Sequence, residues 1–88
     1  IMKNYNNQVL SINVLYFSSL AQKAGKDSET VQTTSGDLAT LYAKLSAKYD
    51  FDLPQDKVAI AINHEFGDWN DAISSGDMVA FIPPVAGG

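Results

Sequence analysis

The chain closes on GDMVAFIPPVAGG, residues 76–88, where an apolar run meets Pro83-Pro84 and the last two positions are Gly87 and Gly88. The reactive group such an end offers is an α-carboxylate. With a reference pKa of roughly 3.3–3.7 it is ionised at pH 7, and it is a poor electrophile until one oxygen joins a leaving group such as a phosphate ester. Glycine has no Cβ, so Gly87 and Gly88 can thread a narrow channel and leave the carbonyl open to groups of another site. Prolines stiffen the exit from the preceding run and aim it outward. Four residues beyond Pro84, at about 3.3–3.6 Å each, reach roughly 13–14 Å. Gly88 is therefore the candidate reacting residue. Pro83, Pro84, Val85, Ala86 and Gly87 are the segment that would carry it into a partner.

Other chemistry is thin. There is no cysteine, which excludes disulfides, thiolate metal sites and cysteine nucleophiles together. His64 has no second His or Cys to join it in a metal site. Asp50, Asp52 and Asp56 flank a turn without the glycine and bidentate glutamate of a calcium loop. Asp68 and Asp71 beside Trp69 read as a solvated turn, and Gly76-Asp77 as a turn before a strand. No metal is expected. A phosphate-binding glycine loop is also missing, so ATP is expected to bind elsewhere than on this chain.

The elements that must position the tail follow from periodicity. SINVLYF, residues 11–17, is β-branched and aromatic and reads as a strand, with Ile12, Val14 and Tyr16 on one face and Leu15 and Phe17 on the other. In SSLAQKAG, Ser18 or Ser19 is a candidate N-cap and Gly25 a stop, which predicts a short helix. ETVQTT, residues 29–34, reads as a second strand. Thr34 and Asp37 have capping-box spacing ahead of Leu38, Leu41, Tyr42, Leu45 and Tyr49, the stripe of an amphipathic helix expected to end at Pro54. KVAIAIN, residues 57–63, is apolar on both faces and predicts a strand covered on each side. A turn-rich stretch follows, with Phe66, Trp69 and Ile73 as apolar anchors and room for a short strand. MVAFI, residues 78–82, is the last strand, ended by Pro83-Pro84, which cannot donate ladder hydrogen bonds.

One main helix and a short one against a mixed sheet is an α+β layout. If the first and last strands lie side by side, it is the ubiquitin-like β-grasp. The 88 residues suffice for one domain with a modest core. We place that domain at 8–88, with 83–88 as a flexible tail and 1–7 as a disordered lead-in or cloning remnant. A formal charge of −4, with lysines scattered singly, argues against nucleic acid. No apolar run approaches a membrane span and no signal peptide opens the chain, so a cytoplasmic protein is expected. A single helix covers one sheet face only, and the apolar side chains left on the other need a loop or another protein.

The tail, together with VLYFSSLAQKAG and AIAIN, resembles the small-subunit family of molybdopterin synthase, which are β-grasp sulfur carriers. The resemblance extends from about Val14 onward. It implies that an ATP-using, E1-like activating enzyme adenylates Gly88 and that a sulfur donor converts the acyl-adenylate to a thiocarboxylate. The tail would then enter the large synthase subunit and deliver sulfur to a cyclic pterin precursor. Two sulfurs per product make the dithiolene that holds molybdenum. It further implies a heterotetramer of two small and two large subunits, acid–base work left to the partner, no bound cofactor, and hydrophobic docking contacts at Phe17, Phe66 and Ile82. The residues leave two alternatives open: a related carrier (thiamin synthesis, tRNA thiolation, or covalent protein modification as by ubiquitin), or a β-grasp interaction module with an inert tail.

Overall fold

The computed structural model describes residues 9–84; the lead-in and positions 85–88 lie outside the described residues. Strand β1 (Leu10–Tyr16) turns Ile12, Val14 and Tyr16 into the core, each at most 2% exposed. Helix α1 (Ser18–Ala24) buries Leu20 and Ala24. Its N-cap is Phe17, without a side-chain cap, and not Ser18 or Ser19. Chain reversal straight out of a strand draws Ser18 to φ 51°, which leaves neither hydroxyl over the helix start. Gly25 does stop the helix, in the left-handed region at φ 74°, ψ 20°, where a side chain is disfavoured.

Strand β2 (Ser28–Thr33) runs antiparallel to β1, with Ile12 opposite Val31 and Val14 opposite Glu29. Helix α2 (Leu38–Tyr49) buries Leu38, Leu41, Tyr42 and Leu45, the expected stripe. The cap is Asp37 itself, and Thr34 takes no part. The Asp37 carboxylate accepts from Ala39 N and Thr40 N, both at 3.3 Å, and from Thr40 Oγ1 at 2.6 Å. The helix also ends earlier than Pro54, at Asp50, which takes the left-handed C-cap conformation at φ 61°, ψ 48°. A 3-10 turn (Gln55–Lys57) then leads to β3 (Ala59–Ile62).

Strands β3 and β4 (Glu65–Gly67) form a hairpin through Asn63 and His64, at φ 53° and 76°. Positive φ at both central residues is what a two-residue type I′ turn demands. Strand β5 (Met78–Ile82) lies parallel to β1, Val14 opposite Val79 and Tyr16 opposite Phe81, and antiparallel to β3. The sheet order is β2-β1-β5-β3-β4. First and last strands are neighbours, so the arrangement is the ubiquitin-like β-grasp.

Both helices contribute to one core cluster on one side of the sheet. Along it, aromatic rings touch in sequence: Tyr49, Tyr16, Phe51, Tyr42, Phe81 and Trp69, with centroids 5.2–5.9 Å apart. Trp69 closes that line by donating Nε1 to Val58 O at 3.0 Å. Expectation and structure part at β3. Ile60 is 1% exposed, while Ala59 is exposed and Ala61 half-buried, so the strand is covered on one side only. Phe66, expected as an anchor, is 82% exposed. It sits on the edge strand opposite Ala61, and there it faces away from the helices.

Candidate docking face and tail root

Strand alternation forces the residues between the buried ones onto the opposite face. In β1 this is Leu15, continuing to Phe17; in β5 it is Met78, Ala80 and Ile82; in β3, Ala61. With Phe66 and His64 they line one depression of about 210 Å³. All three residues expected to dock a partner, Phe17, Phe66 and Ile82, are thus brought to one place by the parallel β1–β5 pairing and the β3–β4 hairpin. Phe17 is 44% exposed and Ile82 half-buried. The sequence reading assigned no docking role to Ala61, Met78 or Ala80. Their signal was the same alternation, which places Met78 and Ala80 with Ile82 and Ala61 with the open side of β3. His64, for which the sequence offers no metal-site partner, lines this depression through the hairpin.

The tail leaves from one end of this face. Pro83 is buried in the domain and Pro84 is exposed. Both prolines, with Ile82, border a second depression of about 430 Å³ that includes Asp56 and Lys57. Val85, Ala86, Gly87 and Gly88 lie outside the described residues.

Behind the face, Glu29 ties down the end of β1. Its carboxylate accepts from Tyr16 Oη and Tyr49 Oη, each at 2.6 Å, and pairs with Lys26 Nζ at 3.4 Å. Partial burial works against the charged form, but the two hydroxyls and Lys26 outweigh it and hold the carboxyl below the usual range. Burial, reinforced by the carboxylate, pushes the Tyr16 hydroxyl well above its ordinary value, so it remains a donor throughout the physiological range. Tyr16 precedes Phe17, and its fixed ring defines where β1 hands over to the docking side.

Four other carboxylates make local contacts. Asp71 Oδ2 accepts from Asp68 N and Asp68 Oδ1 from Asn70 N, each at 3.0 Å. Asp52 and Asp50 pair with Lys23 at 3.4 and 4.0 Å. Among the described residues no group of three or more His, Asp or Glu could hold a metal ion, and no helix is long and apolar enough to cross a membrane.

Comparison with known proteins meets this geometry from the other side. The molybdopterin synthase sulfur carrier subunit of Mycobacterium tuberculosis is 32% identical over 87 residues, covering 91% of this chain and 100% of that protein. The subunit of that name in Haemophilus influenzae is 30% identical over 80 residues, covering 88% and 99%. Among solved structures, a putative molybdopterin converting factor subunit 1 from Pyrococcus furiosus superposes with a TM-score of 0.73 at 27% identity, covering 86% of this chain and 99% of that one. A complex of subunits 1 and 2 of the molybdopterin-converting factor of Helicobacter pylori contains a chain that matches at TM-score 0.64 and 26% identity, covering 90% and 100%. The small archaeal modifier SAMP1 of Haloferax volcanii, at TM-score 0.72 and 24% identity over 89% of this chain and 99% of that one, shares the fold. The model of the ThiS family matches residues 14–88, and the chain belongs to that family.

Proposed function

We propose that this protein is the sulfur-carrier subunit of a molybdopterin synthase, with Gly88 as its working residue. A large synthase subunit docks on the face around Phe17, Phe66 and Ile82. The tail from Pro83 and Pro84 through Val85, Ala86 and Gly87 delivers the terminus into that subunit's site. In the activation step the Gly88 carboxylate attacks the α-phosphate of ATP, held by an E1-like enzyme, and pyrophosphate leaves. A sulfide-level sulfur then attacks the acyl carbon, the C–S bond forms, and AMP departs with the C–O bond. The thiocarboxylate sulfur attacks a carbon of the cyclic pterin precursor and displaces an oxygen leaving group from it. Water then cleaves the acyl C–S bond, leaving the sulfur on the pterin and a carboxylate on Gly88. The chain binds no cofactor or ATP of its own, works in the cytoplasm, and assembles as two small and two large subunits.

The observation that carries this reading is the gathering of Phe17, Phe66 and Ile82 around one depression on the face beside the tail root. The relatives' names and the two-subunit complex of a similar chain support the same partner class. The test is intact mass after incubation with ATP, a cognate activating enzyme and a sulfur source, compared with a variant carrying one extra residue after Gly88. We expect a gain matching exchange of one oxygen for sulfur, absent in the extended variant. No gain in either protein, with a known carrier modified alongside, would rule the reading out in favour of an inert tail. A gain without sulfur delivery to the pterin precursor by the large subunit would point instead to a carrier for another acceptor.

A further inference from the structure

The open face does not end at the apolar depression. Towards β2 it continues through Ser11 and Asn13 of β1 and Ser28, Thr30 and Gln32 of β2, the residues that alternate with the buried set. A neighbouring depression of about 270 Å³, lined in part by Asn13, Ser28, Glu29 and Thr30, shares Leu15 and Met78 with the apolar one. The two are one continuous surface. The polar side chains on it satisfy each other: Thr30 Oγ1 donates to Asn13 Oδ1 at 3.1 Å, and Gln32 Nε2 to Ser11 Oγ at 3.2 Å.

Among the described residues, no Lys, Asp or Glu side chain of the strands stands on this face from β2 across to β4, although the chain has 6 Lys and 10 Asp or Glu; Asp56 and Lys57 border it only at the tail-root end, beside Ile82. The β2 carboxylate, Glu29, is turned to the other side, where the two tyrosines hold it. A sheet face left to water has no reason to exclude charge, and charged side chains are the usual occupants of such positions. Interface centres, by contrast, are depleted of charge because each ion would have to shed its water on docking.

We infer that the docking footprint spans the whole open sheet, with an apolar half over β5, β3 and β4 and an uncharged hydrogen-bonding half over β1 and β2. The occupant is a single protein surface that is flat and uncharged, apolar at one end and equipped with neutral donors and acceptors at the other. This rests on the reading above that a large subunit docks on this chain, and it adds β2, an edge strand remote from the tail, to the contact.

The experiment is a calorimetric titration of the purified large subunit with wild-type chain and five variants. Thr30→Lys and Thr30→Glu place either sign of charge on the polar half; Ala47→Lys and Ala47→Glu do the same on the exposed side of α2; Phe66→Asp marks the apolar half. We expect both Thr30 variants to bind about tenfold more weakly or worse, the order expected when a charge must be desolvated, and the Ala47 pair to bind as wild type. If either Thr30 variant melts below wild type, Gln32→Lys and Gln32→Glu replace the pair. Wild-type affinity in both Thr30 variants alongside weakened Phe66→Asp would overturn the proposal and confine the footprint to the apolar half. Weakening by one sign of charge and strengthening by the other would also overturn it, since the contact would then be electrostatic. Undiminished binding by Phe66→Asp would instead sink the docking reading on which the proposal stands.

Discussion

Glu29 is the residue through which β2, β1, the end of α2 and the loop after α1 are tied to one point. A carboxylate accepting two short hydroxyl hydrogen bonds leaves both tyrosines without partners when it is removed, and hydrogen bonds to charged groups contribute about 1.5–3 kcal/mol each. Glu29→Gln keeps the shape and one acceptor oxygen, so we expect it to lower stability by about 1–3 kcal/mol at pH 7 in urea denaturation. The dependence on pH has a definite sign. The folded-state pKa lies below the unfolded one, so the contribution is complete above the unfolded value of roughly 4.3 and is lost as pH falls through the folded value. The gap between wild type and variant should therefore close on acidification; a gap unchanged at pH 3 would mean that the carboxylate charge is not what holds the tyrosines. Nothing in the linear order of residues singles out Glu29. Tyr16 was legible as a core position, but its hydroxyl needed a partner that only the register Val14↔Glu29 supplies.

At the scale of elements, what the pattern carried and what it missed divide by the range of the interaction. The α2 stripe, the faces of β1 and the Gly25 stop are set by local geometry, and all were legible. The caps were not, because several hydroxyls and carboxylates compete within a few residues and the winner depends on how the chain enters the helix. Thr34 and Asp37 are the case in point. Asp37→Ala should lower the midpoint of thermal unfolding, whereas Thr34→Ala should leave it unchanged; the reverse ranking would restore the capping-box reading. Gly25 is a cleaner test of backbone chemistry. An added Cβ would meet nothing within 4 Å, so the cost of Gly25→Ala comes from the left-handed conformation alone, about 1 kcal/mol by chemical denaturation. The double coverage expected of KVAIAIN failed for a long-range reason. An apolar run signals burial without saying whether its own chain or another protein supplies the second cover.

For the molecule as a whole, two apolar surfaces back to back on one sheet make different demands, and that difference can be measured. The helix side carries the stability: Phe81 is fully buried and sits between the rings of Tyr42 and Trp69. Phe81→Ala should cost about 3–5 kcal/mol, a large part of the roughly 5–15 kcal/mol that holds a small domain together. The open side carries the function proposed for it. Phe66, 82% exposed, surrenders little on mutation, so Phe66→Asp should shift stability by no more than about 0.5 kcal/mol while weakening capture by the large subunit. The two variants thus predict a crossed outcome in two assays: the first poorly folded, the second folded as wild type but unable to dock. A parallel loss of both properties in Phe66→Asp would mean that the open face is part of the fold's own support, and the division of labour between the two sides of the sheet would fall with it.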